Sequence, residues 1–187
     1  RTTVGVSANV PKDLVLANEA KTTNYEITYV NGALKVEAID VTVTVIGHTL
    51  ENVYTGTEQK TSGYEVSFSS ELYTEEDFAY SGTAEVKGTD VGTYPMGLKA
   101  EDFSNKNPNF ANVTFIVEDG SLTITKAAVT VTAASATKSY DGEPLSNSYY
   151  TVTGLVNGEE QSSVTVTGER TTVGVSANVP KDLVLAN

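Results

Sequence analysis

Carboxylates stand in four tight groups along the chain: Glu75-Glu76-Asp77, Glu101-Asp102, Glu118-Asp119 and Glu159-Glu160. Such loops could offer oxygen ligands to a hard cation such as Ca²⁺, which takes about 6–8 of them. The Asp-x-Asp-x-Asp spacing of a calcium loop is missing. A solvated acidic face is therefore the plainer reading, and Glu75, Glu76, Asp77, Glu118 and Asp119 are the weak calcium candidates. A transition metal has less to hold it, since the chain has 1 His (His48) and 0 Cys. Nucleophilic catalysis finds no support. There is no Gly-x-Ser-x-Gly elbow and no phosphate-binding glycine loop, and any Ser-His-Asp triad would run through His48, between Gly47 and Thr49. No catalytic residue and no cofactor is expected. Lys35, Lys87 and Lys126 fall on strand-like sequence and Asn is plentiful, so a Lys–Asn or Lys–Asp isopeptide cross-link is one remaining covalent option. Tyr25, Tyr54, Tyr94 and Tyr140 lie beside turn signals or strand ends. They read as core aromatics with a polar tip, with glycan stacking as the sharper alternative.

Such groups need elements to position them, and composition favours strands. Thr, Val, Gly, Ser and Tyr are prominent, hydrophobic residues make up 39% and charged residues 19%, so small cores are within reach. With no Cys there is no disulfide, and β-sheet packing must supply stability. The net charge of −12 repels nucleic acid and anionic lipid. Residues 39–127 hold 14 acids and 5 bases, a net −9 of that total. No apolar run approaches the roughly 20 residues of a membrane span. Neither a signal-peptide pattern nor membrane insertion is read in this stretch.

Alternation marks the strands: Val41, Val43 and Val45 with Thr42 and Thr44; Val113, Phe115 and Val117; Leu122 and Ile124; Val129 and Val131; Val164 and Val166; Ile27 and Tyr29; Leu34 and Val36. Period two puts one face on a core and the other in water. Asn31-Gly32 and Asp119-Gly120 each separate two alternating runs and predict hairpin turns. Gly32, Gly56, Gly92, Gly120, Gly142 and Gly158 are the structural-turn glycines. Only Glu75 to Tyr80 and Lys99 to Phe103 read as short helical turns.

Self-similarity organises the whole. Residues 1–18, RTTVGVSANVPKDLVLAN, recur without a difference as residues 170–187, an offset of 169. A native array of that period explains the repeat, and a duplicated end is the alternative. A weaker period lies inside it. Asp40-Val-Thr-Val-Thr44 aligns with Ala128-Val-Thr-Val-Thr132, and Asn24–Gly32 aligns with Asn112–Gly120, both at offset 88. Asp90-Val-Gly92 matches Thr172-Val-Gly174 at offset 82. These offsets predict the end of a preceding module in 1–38, a complete module in 39–127, and the start of a second-type module in 128–187 that lacks its last hairpin. The missing hairpin is of the Asn24-to-Val36 type, so a neighbouring repeat or another chain is expected to fill it by strand addition.

The pieces VTVTVIGHTLENVYTGTEQ, LYTEEDFAYSGTAEVKGTDVGTYPMGL and NFANVTFIVEDGSLTITKA of 39–127, with VTVTAASATKSYDGEPL, YYTVTGLVNGEE and NYEITYVNGALKV of the split module, resemble the MBG and YDG repeat families. These families occur in tandem in large adhesins and haemagglutinin-like proteins, especially of gut Firmicutes. The resemblance covers essentially the whole chain. It implies a mainly-β protein of tandem small modules, β-grasp-like, with an immunoglobulin-like sandwich as the alternative. It also implies an exported protein on a bacterial cell surface, in which each module contacts its neighbours and the array forms a stalk or fibre. Direct recognition of a host glycan or protein, and self-assembly into a filament, are the rival roles. The split module keeps Tyr140-Asp141-Gly142 where the complete one has Tyr54-Thr55-Gly56, so a role specific to that Asp does not carry over.

Overall fold

A computed structural model describes residues 1–17 and 19–186. Its strands follow in chain order. The first six are β1 (Gly5–Asn9), β2 (Gly32–Val36), β3 (Ile39–Gly47), β4 (Thr49–Val53), β5 (Gln59–Ser62) and β6 (Tyr64–Phe68). Next come β7 (Phe78–Tyr80), β8 (Glu85–Gly88), β9 (Gly92–Pro95), β10 (Phe103–Asn105), β11 (Phe110–Glu118) and β12 (Ser121–Thr125). The last four are β13 (Thr130–Ala133), β14 (Tyr150–Thr153), β15 (Gln161–Thr167) and β16 (Val179–Leu185). The protein is mainly β, as its composition predicts. The two helix-like stretches form single 3-10 turns at Glu75–Asp77 and Ala100–Asp102, and no α-helix occurs among the described residues. No helix there is long and apolar enough to cross a membrane, which says nothing of strands.

The contacts fall into two compact units. One holds Arg1–Ile46, Tyr64–Thr83 and Leu98–Asp119. Its main sheet runs β11-β3-β6, with β11 parallel to β3. The alternation of β3 puts Val41, Val43 and Val45 at 2%, 0% and 0% exposure, while Thr42 and Thr44 stay half-buried. Opposite them in register stand Val113, Phe115 and Val117. The antiparallel pair β7–β10 brings Phe78 and Phe103 to the same core. Tyr73 meets Phe110 edge-on at 4.9 Å, and Tyr80 stacks on Phe103 at 4.6 Å. Each such pair adds about 0.5–1.5 kcal/mol beyond the area it buries. The phenol of buried Tyr73 donates to Asn105 Oδ1 at 3.1 Å, so its polar tip is satisfied. β1 and β2 pair antiparallel in this unit, and the amide of Val4 donates to Asn109 Oδ1.

The other unit holds Gly47–Gly63, Ala84–Gly97 and the chain from Gly120 onward. β12 lies between β4, parallel, and β9, antiparallel, and its Leu122 and Ile124 are fully buried. β5–β8, β13–β14 and β15–β16 are antiparallel pairs.

Several sequence expectations are corrected. Neither predicted hairpin forms. β11 and β12 flank Asp119-Gly120 but take parallel partners, β3 and β4, because those partners bury their apolar faces. Asp119 instead accepts a hydrogen bond from the Leu98 amide at 2.8 Å. Gly120 is needed for close approach, since a Cβ there would lie 2.5 Å from the carbonyl oxygen of His48. β2, after Asn31-Gly32, pairs with β1, and the predicted strand through Ile27 and Tyr29 is absent. Gly56, Gly142 and Gly158 have the positive φ of turn glycines. Gly32 and Gly92 do not; they open β2 and β9, and a Cβ at either would meet only ordinary contacts. Tyr25 and Tyr140, read as core aromatics, are 62% and 68% exposed. No strand includes either of them, so nothing packs them inward.

Candidate functional site

The residues that could do chemistry do not converge. Glu75, Glu76 and Asp77 share one 3-10 turn, where Asp77 closes a capping box with Thr74. Asp77 Oδ1 accepts from Asn107 Nδ2 at 2.7 Å and its Oδ2 accepts from the Thr74 amide at 2.8 Å. Those bonds, from Asn107 first and then Thr74, hold its carboxyl below the usual carboxylate range. Asp77 is thus committed to local structure. Glu118 ends β11, and Asp119 caps Leu98. Among the described residues no three His, Asp or Glu groups gather as metal ligands. His48 separates β3 from β4, and its Nδ1 lies 2.9 Å from the Ser62 carbonyl oxygen. Lys35, Lys87 and Lys126 are exposed, Lys35 beside Glu37 and Lys87 beside Glu85 and Glu58. An isopeptide bond needs a buried lysine, and these three positions do not supply one.

A different constellation does form, within the second unit, between residues about a hundred positions apart. Tyr54 directly follows β4 and its amide donates to the Thr125 carbonyl. Its phenol donates to Glu159 Oε1 at 2.5 Å. Asn157 Nδ2 donates to the Gly56 carbonyl at 2.7 Å. Both backbones are in the left-handed region there, with φ +71° at Gly56 and +51° at Asn157. A Cβ on Gly56 would lie 2.5 Å from the Asn157 Cβ, so only glycine allows this approach. The bond to Glu159 is the main reason the Tyr54 phenol is pushed above its ordinary pKa, followed by burial and the charges of Glu159 and Asp90.

The model of the MBG domain family matches residues 40–126. By that match, residues 40–126 are similar to an MBG module. No curated protein and no solved structure matches the chain. Tyr54 and Gly56 belong to the MBG module, and Asn157 and Glu159 to the chain that follows it. The constellation is therefore a seam between the matched residues and the chain that follows them.

Sequence reasoning singled out Tyr54, Gly56 and the Asn157-Gly158 turn, and counted Glu159 only as one of an acidic pair. What it missed was their meeting. The available signal was the parallel between Tyr54-Thr55-Gly56 and Tyr140-Asp141-Gly142. In the second motif Asp141 Oδ1 accepts from Lys138 Nζ at 2.7 Å and from the Glu143 amide at 3.0 Å. Lys138 above all, then the Glu143 amide, lowers the pKa of Asp141. In the MBG module Thr55 has a different local partner, Thr57 Oγ1 at 3.0 Å. The Asp of the motif organises its own turn, and Thr takes that place with a neutral bond.

Proposed function

We propose that the chain is a structural repeat of an extracellular bacterial surface adhesin, whose modules join end to end in a stalk or fibre. The observation that carries this reading is the seam. Tyr54 and Gly56 of the MBG module bond to Glu159 and Asn157 of the following segment. A tandem array needs such nearest-neighbour contacts, because its stability sums over modules and their junctions. Asp77, Asp119 and Asp141 serve local caps and turns. Partners of this role are neighbouring repeats, with adhesion to a host glycan or protein carried elsewhere on the fibre. Small-angle scattering of the chain, together with a glycan array, tests the reading. A rod-like particle that binds no glycan is expected, and a compact particle with saturable glycan binding would overturn it.

A second reading, direct glycan recognition, draws on Tyr140 and Tyr149, exposed at 68% and 80% and near each other in sequence. Exposed aromatic faces suit sugar stacking. Tyr140→Ala with Tyr149→Ala would abolish array binding if this reading holds.

A further inference from the structure

The stretch matched by the family model opens on β3 and closes on β12, and both strands belong to parallel ladders. β3 leads into β4, and β11 leads into β12. In one unit β11 runs parallel to β3, from Val113 opposite Val41 to Glu118 opposite Ile46. In the other β12 runs parallel to β4, from Ser121 opposite Thr49 to Thr125 opposite Val53. The residues between the ladders, Gly47-His48 on one path and Asp119-Gly120 on the other, match in number, so neither path carries slack. The chain enters each ladder at the start of its first strand and leaves at the end of its second.

That connection fixes how tension acts. It draws the first strand back along its axis and the second strand forward. Between parallel strands these pulls oppose each other along the ladder, so the evenly spaced cross-strand bonds are loaded together and must fail together. An antiparallel pair behaves otherwise. In β1–β2 the chain enters at Gly5 and leaves at Val36, which face each other, so tension opens one pair at a time. The burial of β3 adds to the resistance. A slip by one residue would turn Val41, Val43 and Val45 out of the core, where their exposure is 2% or less. β3, which takes the load, has β11 on one side and β6 on the other. β12, which releases it, lies between β4 and β9. Side chains tie the ladders where the load enters and leaves. Asn112 Nδ2 donates to Asp40 Oδ1 at 2.9 Å at the start of β3–β11. At the end of β4–β12 Thr125 Oγ1 donates to the Asn52 carbonyl at 3.2 Å, and the Tyr54 amide to the Thr125 carbonyl at 2.8 Å.

We infer that residues 39–126 are a shear clamp, a load-bearing element that carries tension along the chain through the parallel ladders β3–β11 and β4–β12. Its resistance is kinetic. Forced unfolding is set by the rate of crossing the unfolding barrier, and that barrier depends on the direction of the load as well as on equilibrium stability. Along the chain the barrier requires whole ladders to shear. Across the start of β3–β11 it requires only the first pairs to part.

The inference rests on the stalk reading for the source of the tension, and its test is separate. A clamp found in a compact, glycan-binding particle would keep the inference and discard that reading, and a rod without a clamp would do the reverse. The chain has no cysteine, so introduced thiols are the only handles present. Single full-length chains are pulled at one speed between Glu37→Cys and Lys126→Cys, and then between Glu37→Cys and Ala111→Cys. All three positions are exposed, and chemical denaturation checks that both double variants share one midpoint. The first pair shears both ladders, whereas the second peels β11 from β3 at the end where Phe110 faces Ile39. A several-fold higher unfolding force is expected for the first. Handles at Thr49→Cys and Lys126→Cys load β4–β12 alone, and they should also resist more than the peeling pair. Equal forces along and across the ladders would overturn the inference, as would a peeling force above the shearing one.

Discussion

Residues 1–17 and 170–186 have the same sequence and different structures. In the first copy Gly5–Asn9 is a strand, β1, and the residues after it up to Ala17 are not. In the second copy the equivalent of β1 is irregular, and Val179–Leu185, the equivalent of Val10–Leu16, is the strand β16. What the copies share is local. Arg1 donates to the Val4 carbonyl and Arg170 to the Val173 carbonyl. Gly5 and Gly174 both have strongly positive φ, and so do Asp13 and Asp182, at +55° and +56°. What differs is long-range: β1 lies against β2, and β16 against β15. β-propensity describes fit to a partner surface more than an intrinsic backbone preference, and this pair of copies separates the two cleanly.

The largest way to break the comparison is through the core that the first copy shares a unit with. Phe103, 5% exposed and stacked on Tyr80 and Phe115, should cost about 3–5 kcal/mol when changed to alanine. Chemical denaturation should show that loss, and amide exchange should rise at β1 while β16 holds its protection. Equal loss at both strands would mean that the two copies depend on one cooperative core.

Matched proline substitutions come next in size. Ala8→Pro removes an N–H and fixes φ inside β1, opposite Ala33, whereas Ala177→Pro makes the same change outside any strand. In dilute solution the first should open the β1–β2 pair and the second should leave exchange unchanged. The reverse holds for Val15→Pro and Val184→Pro, because only Val184 sits in a strand, opposite Ser163. A pair of substitutions with equal effects would show that the copies interconvert.

A pH series sharpens the contrast with a smaller effect. The bonds from Asn107 and Thr74 lower the Asp77 pKa, so the stability they add is complete above the unfolded value of about 3.9 and is lost as pH falls through the folded one. Burial foremost raises the pKa of Tyr64, Tyr73 and Tyr80, so the fold loses stability as pH rises above the unfolded tyrosine value of about 10. Both sets of residues belong to the unit of β1. Exchange at β1 should therefore respond at each extreme before exchange at β16, and Asp77→Asn should flatten the acid limb. The smallest effect is expected at the seam, where Tyr54→Phe removes one half-buried bond. Denaturation midpoints should barely move, and faster exchange near Glu159 is the sign to look for.

Much of the MBG module was legible in its sequence. The alternation of Val41, Val43 and Val45 and of Leu122 and Ile124 named the deepest core positions, because period two admits one buried face. The 3-10 turns at Glu75–Asp77 and Ala100–Asp102 were legible as the two short helix-like stretches. The hairpins at Asp119-Gly120 and Asn31-Gly32 were misread, since a turn dipeptide says where a strand can end and leaves open what its strands pair with. The role of Tyr73, fully buried, was not legible either. It depends on Phe110 and Asn105, which lie more than thirty positions away, and local spacing carries no trace of that. Of the seam, Tyr54 and Gly56 were visible as a motif, but their pairing with Glu159 and Asn157 was not.

The repeated eighteen residues mark the division. By itself the sequence determined the mainly-β character and the local geometry common to both copies: the arginine turn and the left-handed aspartate. These rest on interactions within a few residues, which travel with the sequence wherever it stands. Tertiary structure alone decided which half of the copy became a strand, because a strand is made by its neighbour, and the two copies have different neighbours.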